Sequence, residues 1–176
     1  MTAKDFALVW PYLLLGLVLI QRLIELAWSE RNRRELLKRR GREIGRAHYP
    51  LFILLHGTWL LAMFLFVQPG IPVNWWALGA FAALQLLRVW TIASLGPFWT
   101  TRIITVDDQP LRRRGPYRFI RHPNYLIVAF EVPLLPWLLS LPWLAIFFGA
   151  LNLALLGWRI HVENAALATR RHIQAT

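Results

Sequence analysis

Five apolar stretches alternate with polar breaks along this chain, and the longest breaks are crowded with arginine. The first stretch runs from Phe6 to about Trp28, clean to Ile20 and then amphipathic through Gln21, Arg22 and Glu25. The second is Leu51–Val67; the third starts near Ile71, is interrupted by Arg88 and ends by Leu95. The fourth is Tyr125–Leu139 and the fifth Leu141–Trp158. Several fall short of the ~20 residues a perpendicular membrane helix needs. Tilting, or polar ends held in the interface, must supply the difference. The breaks Gln68-Pro69-Gly70-Ile71-Pro72 and Ser140-Leu141-Pro142 are too short for domains and read as tight turns between antiparallel helices. With no internal repeat and no low-complexity linker, the pattern predicts one all-α integral membrane bundle of about five transmembrane helices over residues 1–176.

Composition agrees with this class. The chain has 176 residues, 57% hydrophobic and only 16% charged, with mean hydropathy +0.42. A net charge of +11 would suggest nucleic acid in a soluble protein. Interleaved with runs of membrane length, it belongs instead to lipid headgroups and to orientation, so the bilayer is the expected partner and nucleic acid is not. Cysteine is absent, which removes disulfides, thiolate metal sites and cysteine nucleophiles; no metal site is expected. The first apolar run lacks a basic leader and a small-residue cleavage site, so it is read as a retained helix.

Charge counting orients the bundle. Residues 29–48 hold eight Lys/Arg, residues 96–122 hold six, and the tail adds Arg170 and Arg171; the opposite side has Lys4 alone. Five spans put all three basic regions on one side, which the positive-inside rule makes cytoplasmic, with the N-terminus outside and the C-terminus inside. Trp10, Trp28, Trp75, Trp76, Trp137, Trp143 and Trp158 stand near span ends, where an aromatic belt is expected.

The richest polar stretch is Gly115-Pro116-Tyr117-Arg118-Phe119-Ile120-Arg121-His122-Pro123-Asn124-Tyr125, directly before the fourth apolar run. Setting topology needs positive charge there, but not an imidazole, an amide and phenols at the mouth of a membrane helix. Three polar residues lie within the spans: His56, Glu131 and Asn152. A carboxylate near a helix centre costs ~2.5–3.5 kcal/mol on insertion scales, so Glu131 calls for a partner inside the bundle. For each of the three, a satisfied interhelical hydrogen bond and a role toward substrate both remain open. At the end of the fifth span Arg159 and Glu163 share a face at i,i+4. That pair reads either as an exposed ion pair or as a guanidinium for an anion beside a carboxylate for a cation.

The Arg121-His122-Pro123-Asn124-Tyr125 element, a hydrophobic hairpin, and Arg159-Ile160-His161-Val162-Glu163 together resemble the isoprenylcysteine carboxyl methyltransferase family. The resemblance is specific over about residues 96–168. It extends loosely to Gly45–Pro50, Leu55-His56 and Trp99–Ile103. It implies an integral membrane enzyme using S-adenosylmethionine (SAM), with a cytoplasmic SAM pocket near the last helical hairpin. The N-terminal helices (about 6–95) would then support a SAM-binding and catalytic part (about 96–168). Tyr117, Arg121, His122, Pro123, Asn124, Tyr125 and Glu163 are the implied cofactor-binding residues. Arg159 and Glu163 are the implied catalytic ones, and His56, Glu131, Asn152 and Arg159 the substrate-binding ones. The family's second Glu is Asn164 here, which leaves that one contact in question.

SAM carries a sulfonium, an ammonium and a carboxylate, so a mixed-charge pocket suits it. No two of the ten glycines lie two apart, so the Gly-x-Gly loop of soluble SAM enzymes is absent. The implied acceptor is lipophilic, with a prenyl or long acyl chain; the short bacterial members include enzymes methylating long-chain polyketides such as alkylpyrones. A carboxylate acceptor needs no base, with Arg159 aligning its oxygen. An enol or phenol needs one, with Glu163 preferred over Glu131 and His56 as nearest the methyl donor. Phospholipid N-methylation and a non-catalytic membrane scaffold are the competing readings.

Overall fold

Backbone polar groups in lipid have no water to pair with, so apolar stretches of this length form helices. The computed structural model describes residues 2–106 and 114–173. It contains α1 (Ala3–Lys38), α2 (Tyr49–Phe66), α3 (Trp75–Leu95), α4 (Pro123–Leu138) and α5 (Pro142–Ile173), with two short strands, β1 (Arg42–Ile44) and β2 (Ile103–Thr105). Arg112 and Arg113 of the basic loop lie outside the described residues, and so do the side chains of Arg170 and Arg171. The all-α membrane bundle expected from the sequence is present. Four of the five helices, α1, α2, α3 and α5, are long and apolar enough to cross a membrane. α4 has 16 residues, about 24 Å of helix, and packs against both α3 and α5.

Prolines inside the helices free carbonyls, and the fold reuses them. Pro11 in α1 leaves the Ala7 carbonyl without its helical donor; the Gly70 amide of the α2–α3 turn bonds it at 3.1 Å. Gly70 sits at φ +79°, a left-handed conformation that favours glycine. Pro136 in α4 frees the Val132 carbonyl in the same way. There the fully buried Trp59 of α2 donates its indole N–H at 3.0 Å. Asn152 of α5 donates to the Val128 carbonyl of α4 at 3.2 Å. The first of these bonds ties α1 to the α2–α3 turn, and the other two tie α4 to α2 and to α5.

Three expectations are corrected. α1 does not end near Trp28 but continues to Lys38, because Glu30 with Arg33 and Arg34, and Glu35 with Lys38, form i,i+3 and i,i+4 pairs that sustain a solvated helix. α3 starts at Trp75, not near Ile71, because Asn74 caps it by accepting the Ala77 amide at 3.1 Å. Trp10 is not a belt residue: it is buried and donates to the Ile71 carbonyl at 3.0 Å, clamping α1 to the α2–α3 turn. Trp75, Trp76, Trp137 and Trp143 are exposed near helix ends, in keeping with a belt.

The long basic breaks gather at one end of the bundle. There β1 and β2 pair antiparallel, Glu43 opposite Ile104, and both strands touch α5. Glu43 ties this end together by accepting from Arg102 at 2.6 Å and pairing with Arg33 at 3.4 Å and Arg46 at 3.5 Å. The 115–118 turn packs on α3. Gly115 permits this, since a Cβ there would lie 2.0 Å from the Ser94 hydroxyl and φ is +55°.

Candidate active site

The basic end holds a cavity of about 390 Å³ that runs into the bundle. One part of its lining is polar: Tyr117, Arg121, His122, Asn124, Tyr125, Arg159 and Glu163. Another is apolar: Leu19, Leu23 and Leu26 of α1 with Ile53 and Leu60 of α2. Along α2, Leu60 lies eleven residues beyond Tyr49, ~16 Å of helix rise, or about half the hydrocarbon core. The cavity thus joins the basic end of the bundle to its hydrophobic middle.

A chain of hydrogen bonds organises the polar part. Arg159 donates from Nη2 to the Thr101 carbonyl at 2.6 Å and from Nε to the Tyr125 hydroxyl at 2.8 Å. The Tyr125 hydroxyl donates in turn to Glu163 Oε2 at 2.5 Å. Glu163 Oε2 also lies 3.5 Å from His122 Nδ1, and the His122 ring stacks on Tyr125 with centroids 5.3 Å apart. Arg159 and Glu163 therefore do not form the simple helix-end pair their spacing allows; the Tyr125 hydroxyl is inserted between them. The Arg159 guanidinium rests over the Phe52 ring at 5.1 Å. Nη1 has no hydrogen-bond partner among the described residues, so one fork of a fixed cation is left for a ligand.

Four buried side-chain polar atoms have no hydrogen bond among the described residues: His122 Nε2, Asn124 Oδ1 and Arg22 Nε on residues that line the cavity, and Asn152 Oδ1 outside it. Buried polar atoms are normally paired, and leaving one unpaired costs about 1–3 kcal/mol. The orphans on His122 and Asn124, both in the polar part of the cavity, mark a place where a ligand completes the bonding. Tyr117 adds a phenol whose pKa is pushed up by burial and by the nearby Glu163 charge, so it remains a neutral donor.

Not every residue singled out in the sequence reaches this cavity. His56, Arg159 and Glu163 line it; Glu131, Asn152 and Pro123 do not. Asn152 serves the α4–α5 contact. Glu131, 2% exposed, sits in a charged cluster that sequence reading did not assemble. Its Oε1 accepts from Arg22 and from Gln85 at 2.9 Å, and its Oε2 lies 3.2 Å from Arg88. Glu25 completes the cluster, with Arg88 donating at 2.7 and 2.6 Å and Arg22 at 2.8 Å. Two guanidiniums and two carboxylates thus neutralise each other across α1, α3 and α4. The polar interruptions at Arg22, Glu25 and Arg88 and the carboxylate of Glu131 were each visible in the sequence; that the four meet was not.

The model of the isoprenylcysteine carboxyl methyltransferase family matches residues 77–169. That stretch holds the polar lining residues from Tyr117 to Glu163, though not His56, and is more than half of the chain. The chain belongs to the isoprenylcysteine carboxyl methyltransferase family. It is a multi-pass integral membrane protein of a methyltransferase family. A relative from Bacillus subtilis (strain 168), bearing the name Uncharacterized protein YpbQ, is 34% identical over 161 residues. That match covers 89% of this chain and 95% of the relative. No solved structure matches the chain at a significant level.

Proposed function

We propose that this protein is a SAM-dependent methyltransferase that methylates an oxygen of a lipophilic acceptor. The observation that carries the reading is one cavity uniting orphaned polar atoms, a fixed cation and an apolar extension into the bundle. The donor set fits SAM. Arg121 offers a cation to its carboxylate, and Glu163 offers an anion to its positive groups. His122 Nε2 and Asn124 Oδ1 offer bonds that the protein leaves unmade. When bound, SAM supplies a sulfonium-activated methyl group for in-line displacement.

The chain's own contribution is positioning and electrostatics. Thr101 and Tyr125 hold the Arg159 guanidinium in place, and its spare Nη1 aligns the acceptor oxygen. The apolar walls of α1 and α2 take the acceptor's hydrocarbon chain and keep water from the reacting atoms. An amine acceptor is disfavoured, since a cationic headgroup would meet a fixed guanidinium. Titrating the solubilised protein with SAM tests the cofactor reading directly.

The basic end is proposed to face the cytoplasm, where SAM is made available to the cavity mouth. The fold puts the N-terminal end of α1 beside the α2–α3 turn, at the end away from the paired strands. A reporter fused after Thr176 is therefore expected to read cytoplasmic, and one fused before Met1 external. Both termini reading on the same side would mean that α4 and α5 do not each cross the bilayer.

A further inference from the structure

Two cavity histidines have one ring nitrogen engaged and the other unpartnered among the described residues; His122 is committed to the cofactor in the reading above, and His56 is not. The Nδ1 of His56 lies 2.9 Å from the Phe52 carbonyl one turn earlier in α2. A carbonyl oxygen only accepts, so Nδ1 carries the proton, and the neutral ring must present a bare lone pair at Nε2. No described residue partners Nε2, and His56 lines the cavity. The two carboxylates that could compete are engaged, Glu131 through both oxygens and Glu163 through Oε2. The partners of Glu131 are arginine and glutamine, and it is not part of the lining. Glu163 Oε2 receives the Tyr125 hydroxyl at 2.5 Å. Phe52 also connects His56 to the reacting region, because its ring carries Arg159 at 5.1 Å.

We propose that His56 Nε2 is the proton acceptor of this cavity, taking the proton from a hydroxyl of the acceptor held by Arg159. The inference rests on the methyl-transfer reading above and deepens it, favouring a hydroxyl over a carboxylate. In the step the acceptor's O–H bond breaks and its proton forms an N–H bond at Nε2, leaving the electron pair on oxygen. That pair makes the new O–CH3 bond, while the pair of the broken sulfonium–methyl bond stays on sulfur. The imidazolium then returns its extra proton to water. The charged groups around His56 are Arg22 and Glu25 of α1, Arg88 of α3, Glu131 of α4, and Arg159 and Glu163 of α5. The first four are mutually neutralised in their cluster.

The test needs no methyl donor at first. The full-length solubilised protein is titrated into a 2-nitrophenol bearing a long alkyl chain, about one pH unit below the probe's solution pKa. The bound probe is expected to show phenolate absorption with the parent and the neutral spectrum with His56→Gln, whose amide keeps the Phe52 bond but takes no proton. With SAM added, His56→Gln is expected to lower turnover of the hydroxyl probe about 10²–10⁴-fold. Methylation of a fatty acid of matched length, which needs no base, should fall far less, and SAM affinity should hold. Added imidazole should restore part of the activity of His56→Ala, a readout that a purely structural role would not move. Phenolate formation equal in parent and His56→Gln, a parent that leaves the probe neutral or unbound, or an equal loss with the fatty acid overturns the proposal. A His56-dependent phenolate with no methyl ever transferred leaves the proton acceptor standing and defeats the methyltransferase reading instead.

Discussion

Arg88→Leu is expected to destabilise the bundle by about 3–5 kcal/mol, the usual cost of removing one partner from a buried ion pair. The size follows from what is left behind. Glu25 would lose its two bonds from Arg88 at 2.7 and 2.6 Å, and Glu131 would lose its contact at 3.2 Å. Two carboxylates within the membrane would then share Arg22 alone. Restoring charge balance should recover most of the loss, so Arg88→Leu combined with Glu131→Leu is expected to be more stable than Arg88→Leu by itself. Unfolding of the solubilised single and double variants provides the comparison. A double variant no better than the single one would mean that the cluster acts through packing and not through charge.

Arg159→Lys is expected to lower turnover about 100-fold, comparable to removing one positioned donor, while SAM affinity changes far less. Lysine keeps the charge but not the planar fork. It cannot bond the Thr101 carbonyl at 2.6 Å and the Tyr125 hydroxyl at 2.8 Å and still present a third nitrogen. In the proposed mechanism that third nitrogen matters mainly in the transition state, so kcat should carry the defect. Rates measured at saturating SAM and a lipid-like acceptor decide this. Near-normal turnover would assign acceptor alignment elsewhere and leave Arg159 as a strut between Thr101 and Tyr125.

Helix identity was legible because it depends on hydropathy within each segment. The apolar runs and the proline-glycine turns mark all five helices in the sequence. Features set by contacts between distant segments were not legible. Trp10 resembles any interfacial tryptophan until the Ile71 carbonyl arrives 61 residues later. The paired strands are three residues each, too short to leave an alternating pattern. In the candidate site, the polar residues before α4 and at the end of α5 could be picked out by type and spacing. The insertion of the Tyr125 hydroxyl between Arg159 and Glu163 could not, because it depends on how α4 and α5 pack. Glu131 was recognised as needing a partner, yet Arg22 stands 109 residues away, beyond the reach of any periodicity argument.

The central claim is that the cavity at the basic end binds SAM through His122 and Glu163. Calorimetric titration of the solubilised protein with SAM, alongside His122→Ala and Glu163→Ala, tests it most directly. The account predicts saturable binding by the parent and clearly weaker binding by each variant, with both variants still folded in detergent. A parent that does not bind SAM, or affinities unchanged in both variants, would contradict it.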